Sequence, residues 1–245
     1  MHCTKERGVV TLLVVAAAGL AVSGLSGCGG LSPGGSGEDA INQGVYPPNA
    51  VIFGKTYSEW ADEWCKWFLA IPKSVNPAMD DTGIHAGVNQ SGPVWFLAGT
   101  VGTTAERRCT VPAGKAILFP IICGFFWVPT DAATPEELPG LAQFVLDHAT
   151  EVEAIVDGVP LRGLENYRFR SQRTFWFTGP TAPDECIYPN QDGPHETFAD
   201  GYYVMLEPPP RGPHELYFRG KLVFPGTYPD VQVIEITIAY HLTVQ

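Results

Sequence analysis

The residues in this chain with the most chemical potential are its tryptophans and a few carboxylates. Indole faces stack on sugar rings and other flat, apolar ligands. Trp60, Trp64, Trp95 and Trp127 are therefore the expected ligand contacts, with a saccharide as the expected small ligand. Glu59 and Glu63 stand one helical turn apart, and Asp80 and Asp81 are adjacent. Two such carboxylates converging in a cleft are what glycoside hydrolysis requires. Each group also has a plainer use. Trp60, Trp64, Trp67 and Phe68 fall at i, i+4, i+7 and i+8, the spacing of a helix face buried in a core. Glu59 lies three residues after Thr56, where it completes a capping box.

Other chemistries lack their residues. His85, His148, His195, His214 and His241 form neither His-x-His nor His-Glu-x-x-His, and no metal site is expected. Gly-x-Ser-x-Gly, a phosphate-binding glycine loop and the dinucleotide glycine fingerprint are all missing, so no cofactor is expected.

The elements that must position these residues are mostly strands. Tyr57 to about Ala70 is expected as a helix that Pro72 ends, and a second is expected within Pro135–His148. From Ile234 to Val244 apolar residues alternate with polar ones, the period of a strand with one buried face. Asp157-Gly158 marks a hairpin between Val152–Val156 and Val159–Leu161. Further strands are expected at 94–100, 116–122, 167–171, 174–178, 202–207 and 214–224. The expected fold is mainly β: an antiparallel β-sandwich or related barrel with one or two accessory helices on an edge or over an open end.

Before this domain, Lys5 and Arg7 precede a short apolar run from Gly8 to about Val22. A basic start, an apolar middle and small residues describe an export signal, and the run is short of the roughly 20 residues that a membrane span needs. Leu25-Ser26-Gly27-Cys28 resembles the lipobox of bacterial lipoproteins. That resemblance implies cleavage after residue 27 and a diacylglycerol on Cys28; with more than one acyl chain, membrane attachment is stable. Residue 29 is glycine, which in a Gram-negative lipoprotein implies the outer membrane. The expected organisation is a signal at 1–27, a Gly/Ser-rich tether at 28–44 and one globular domain at 45–245.

The chain carries 15 basic and 26 acidic residues. Removing residues 1–27 takes away Lys5, Arg7 and Glu6 and leaves 13 against 25, a net −12. Such a surface repels phosphate backbones, which argues against nucleic-acid binding. Four cysteines remain besides Cys3 and Cys28: Cys65, Cys109, Cys123 and Cys186. An even number in an exported domain reads as two disulfides, with three connectivities open. Gly54–Trp60, with Trp64 and Trp67, resembles a segment of a group of uncharacterised secreted bacterial proteins, and Gln90–Gly99 and Cys109–Ala116 resemble later parts of the same group. The resemblance implies a discrete exported domain and brings no activity with it.

The expected function is a lipid-anchored, non-enzymatic binding module of the cell envelope, held to the membrane through Cys28. An extracytoplasmic hydrolase using Glu59, Glu63, Asp80 or Asp81 is the rival reading. A structural or assembly protein whose partner is another envelope protein is the third.

Overall fold

The computed structural model describes residues 42–224 and 233–245. The expected export signal, Cys28 and most of the expected tether lie outside the described residues. The folded part already includes Asn42, whose side chain clamps the backbone of Arg162 from both sides, donating to its carbonyl at 2.9 Å and accepting from its N–H at 2.8 Å. Among the described residues no helix is long and apolar enough to cross a membrane.

Two sheets pack face to face, and neither closes on itself. In the first, β3 (Val94–Phe96), β5 (Ala116–Trp127), β10 (Gly193–Leu206) and β8 (Arg168–Arg170) lie in that order, and β9 (Phe175–Gly179) also pairs with β10. In the second, the order is β4 (Thr104–Val111), β12 (Val233–Val244), β11 (Gly212–Val223), β6 (Ala149–Val156) and β7 (Val159–Pro160). A small ribbon of β1 (Val51–Ile52) and β2 (Lys55–Thr56) precedes the first helix.

The sheets are mixed rather than antiparallel throughout: β3 runs parallel to β5, and β4 runs parallel to β12. Apolar alternation reports which face of a strand is buried and carries no information about the direction of its neighbour. The expected C-terminal strand forms as β12, with Ile236, Ile238, Tyr240, Leu242 and Val244 buried. The Asp157-Gly158 turn joins β6 to β7, both residues at positive φ (49° and 79°), as a two-residue hairpin of this type requires. The strand β4 was not among the expected elements.

Helix α1 (Tyr57–Ala70) has the expected bounds and its Thr56–Glu59 capping box. It lies flat on the outer face of the first sheet, against β8, β9 and β10, rather than on an edge or over an end. Trp60, Trp64, Trp67 and Phe68 are its buried stripe. Helix α2 (Leu138–Leu146) follows a 3-10 turn at Pro135–Glu137 and packs on β5 and β10. Its Leu138, Ala142, Val145 and Leu146 join Ile122, Phe126, Phe198, Leu222 and Phe224 in a second apolar cluster, which fills one end between the sheets.

One irregularity organises the site. Tyr202 pairs with Ile122 and Tyr203 with Pro120, so Ile121 bulges out of β5. A bulge reverses the in–out alternation of the residues beyond it. Before the bulge Phe119 faces the second sheet, stacked on Phe218 at 5.0 Å. After it the even-numbered residues take that side: a Cβ on Gly220 of β11 would sit 2.5 Å from Ile122 Cβ, so only glycine lets the sheets approach so closely. Cys123, Phe125 and Trp127 turn instead toward α1.

A half-buried carboxylate helps dock α1. Asp62 Oδ1 accepts a hydrogen bond from Ser171 Oγ at 2.6 Å. Burial pushes the Asp62 carboxyl up to about 6, against the opposing pull of Ser171 and Lys66. The folded value lies above the unfolded one, so this group favours folding most at low pH, and its contribution fades as pH rises through 6. From about pH 5 to pH 7.5 the loss should be about 1 kcal/mol. Asp62→Asn keeps the acceptor for Ser171 and should remove that part of the pH dependence. Urea unfolding at the two pH values measures it, and an unchanged difference in the variant would exclude Asp62 as the source.

Candidate functional site

A cavity of about 360 Å³ lies along the edge of β5 after the bulge. On the α1 side its wall is Trp64, Phe68, Phe125, Trp127 and Tyr188; on the inter-sheet side it is Ile122, Val145, Leu222, Ile234 and Ile236. The segment Gly99–Gly102, after β3, closes one flank. Thr130, Pro189 and Asn190 form an exposed rim. Asp131 is the one carboxylate in the lining, and burial raises its carboxyl above the usual range, with the Trp127 N–H pulling the other way. Such a wall, apolar and aromatic with a few polar groups, is the ordinary character of a small-molecule pocket, and its size is at the low end of the usual range.

The aromatic wall is held rigidly. Trp64 stacks on Phe68 at 5.0 Å and donates its Nε1–H to Leu97 O at 2.9 Å. Trp127 donates its Nε1–H to Asn190 O at 3.2 Å and packs edge-on to Phe177 and Tyr188. Asp131 replaces a missing neighbour strand at the end of β5: its Oδ2 accepts from Trp127 N–H at 3.0 Å, and its own N–H donates to Trp127 O at 2.9 Å.

Of the four expected ligand contacts, the structure brings Trp64 and Trp127 to the cavity and leaves Trp60 and Trp95 elsewhere. Trp60 is buried and donates to Ile52 O at 2.8 Å. Trp95 is also buried, and its Nε1 has no hydrogen-bond partner among the described residues. A buried donor without a partner costs stability, whereas losing a formed hydrogen bond costs more than the bond's own net worth. Trp95→Phe should therefore destabilise the protein less than Trp64→Phe, by about 1 kcal/mol or more. Denaturation midpoints of the two variants check this ordering, and equal losses would refute it.

The four expected carboxylates do not line the cavity. Glu59 is spent on the α1 cap, accepting from Thr56 N–H at 2.8 Å. Glu63 pairs with Lys66 at 3.0 Å and Lys55 at 3.2 Å. Asp80 organises a turn: burial raises its carboxyl, but N–H and hydroxyl donors from His85, Thr82 and Gly83 outweigh that and hold it down at about 2. Asp81 is exposed. Asp131, which sequence reasoning did not single out, is the carboxylate that reaches the cavity. Its place four residues after Trp127 carries no pattern that would mark it.

The expected disulfides are not formed in this structure. Cys65, Cys109, Cys123 and Cys186 are free thiols on four separate segments of the chain. Cys65 on α1 hydrogen-bonds the Tyr203 hydroxyl at 3.7 Å, and Cys123 lies on β5. Cys109 is in the other sheet on β4, and Cys186 faces Ala182 O at 3.8 Å. Burial raises the Cys65 thiol strongly and pushes the Cys109 and Cys123 thiols up to about 12, so near neutral pH none of these three is a nucleophile. Cys123 adds a neutral thiol to the cavity wall.

The histidines stay apart. His195 bonds Val128 O and Asp192 O in the first sheet, while His214 pairs with Asp157 at 2.7 Å in the second. His241 lies between Glu106 (2.8 Å) and Glu215 (2.6 Å) on the outer face of the second sheet. Among the described residues no cluster of three His, Cys, Asp or Glu is arranged to hold a metal ion. No family model, curated protein or solved structure matches the chain.

Proposed function

We propose that the chain is a lipid-anchored cell-envelope protein whose folded domain is a binding module, and that the cavity beside β5 takes a small, mostly apolar ligand. The observation that carries this is the lining itself: a mostly aromatic and aliphatic wall with few polar side chains. A saccharide would need a partner for each of its hydroxyls, and Thr100, Thr130, Asp131 and Asn190 are few for that purpose. The export signal and the lipobox support the location, and the acidic surface leaves attachment to the lipid on Cys28.

Two measurements test the reading. Isothermal titration with 1-anilinonaphthalene-8-sulfonate should find a single site, and Val101→Glu, which sets a charge of the same sign as the sulfonate in the flanking segment, should weaken it about tenfold or more with the circular dichroism spectrum unchanged. Equal affinity in the variant would remove the cavity as the site. Radiolabelled palmitate should enter the natural chain and not Cys28→Ala; label in both would dispose of the lipobox.

A further inference from the structure

We propose that the cavity is a strand-addition site, in which the amino-terminal residues of an extended apolar peptide lie antiparallel to β5 across Cys123–Phe125 with the free α-amino group against Asp131. The proposal rests on the cavity being the binding site and names the class of ligand.

Half of the backbone groups of β5 point away from β10. In an antiparallel pair, successive residues turn their N–H and C=O alternately toward and away from the partner. Ala199 O of β10 accepts from Ser171 on the far side of that strand, so Ala199 does not bond its opposite number, Phe125. Phe126, Gly124 and Ile122 consequently bond β10, while Phe125 and Cys123 direct their N–H and C=O outward. On that outer edge, β3 covers only Ala116–Leu118, and Leu97 N–H reaches Leu118 O at 2.9 Å. Pro120 has no N–H to offer. At the other end the Asp131 carboxylate and N–H occupy both outward groups of Trp127.

Between these two covers lie the outward N–H and C=O of Cys123 and Phe125, for which the described residues provide no partner. They open into the cavity, and both residues are only partly buried. Two donors and two acceptors along about 7 Å of strand, at roughly 3.3 Å per residue, match one extended tripeptide. The cavity straddles the edge, with Phe68 and Trp127 on one side and Ile122 and Ile236 on the other. Alternate side chains of an added strand point to opposite faces, and each would meet an apolar wall.

Orientation follows from charge. A strand antiparallel to β5 begins at its Trp127 end, so its α-amino group arrives beside Asp131, the one carboxylate of the lining. A parallel strand would bring its carboxylate there and be repelled. Burial already disfavours the Asp131 carboxylate, and an ammonium beside it relieves that cost.

The experiment uses the full chain with Val-Phe-Val amide carrying a free amine, its N-acetyl form and a form N-methylated at the third residue, whose amide nitrogen would face β5. Amide exchange is read by NMR and affinity by calorimetry. The free-amine peptide should slow exchange at Cys123 and Phe125 by about tenfold or more. N-methylation should weaken binding about tenfold. Acetylation should weaken it about fivefold in the natural chain and not in Asp131→Asn. Unchanged exchange at both amides, or equal binding of the N-methylated form, overturns the strand-addition proposal. If 1-anilinonaphthalene-8-sulfonate still binds in those samples, the cavity reading survives alone; if neither probe binds, both fall.

Discussion

Arg107→Met is expected to cost about 3–5 kcal/mol of folding stability. Arg107 is fully buried, and among the described residues no carboxylate lies within ion-pairing distance of it. Its guanidinium is solvated by the fold instead. Nε donates to Asp80 O at 2.7 Å, and Nη1 donates to Ala98 O at 2.8 Å, Gly99 O at 3.0 Å and the Tyr240 hydroxyl at 2.8 Å. The group also lies 5.5 Å from the centre of the Tyr240 ring. One side chain thus ties β4 and β12 of the second sheet to the segment leaving β3 of the first and to the turn at Asp80. Methionine roughly replaces the volume and none of the hydrogen bonds, and each buried carbonyl left without a donor costs about 1–3 kcal/mol. Tyr240 keeps Ala98 O satisfied at 2.7 Å, so the loss falls mainly on Gly99 O and Asp80 O. Urea unfolding followed by circular dichroism measures this. A loss below about 1 kcal/mol would mean that water replaces the guanidinium, and the clamp account would be wrong.

Asp200→Ala should cost about 3 kcal/mol, for the complementary reason that it strands two cations. Asp200 is fully buried on β10, and both of its oxygens accept from Arg168 of β8, at 2.9 and 2.8 Å. Arg170 Nε approaches the same carboxylate at 3.2 Å. Arg168 also reaches Asp147 at 2.7 Å and Arg170 reaches Pro139 O at 2.9 Å, so the cluster joins β8 and β10 to both ends of α2. With Asp200 gone, two neighbouring guanidiniums would share one half-exposed carboxylate, Asp147. Combining Asp200→Ala with Arg170→Met should recover part of the loss, because one of the stranded charges is removed. If the double variant is less stable than the sum of the single losses, repulsion between the arginines is not the cause.

Some of this architecture could be read along the chain and some could not. The bounds of α1 follow from Thr56, Glu59 and Pro72, which act within one turn of themselves. The face of β12 follows from alternation, and the β6–β7 hairpin from a dipeptide that accepts positive φ. The burial of Trp60, Trp64 and Trp67 also follows from spacing. Which of them borders a cavity does not, because that depends on Tyr188, Ile234 and other residues distant in sequence. The carboxylates with suggestive spacing, Glu59 and Glu63, have local work, and the one at the cavity, Asp131, stands in no motif.

The parts legible in the amino-acid order are those governed by neighbours a few residues apart: helix caps, apolar periods and turn dipeptides. Partner choice among strands belongs to the folded chain alone. Parallel β3 and β4, the Ile121 bulge, the burial of Arg107 and the stretch of β5 that no described residue covers all arise where segments meet after long separations. Backbone hydrogen bonding is identical for every non-proline residue, so side-chain order does not encode which edge stays open. That is settled by the lengths and positions of the surrounding elements once they pack.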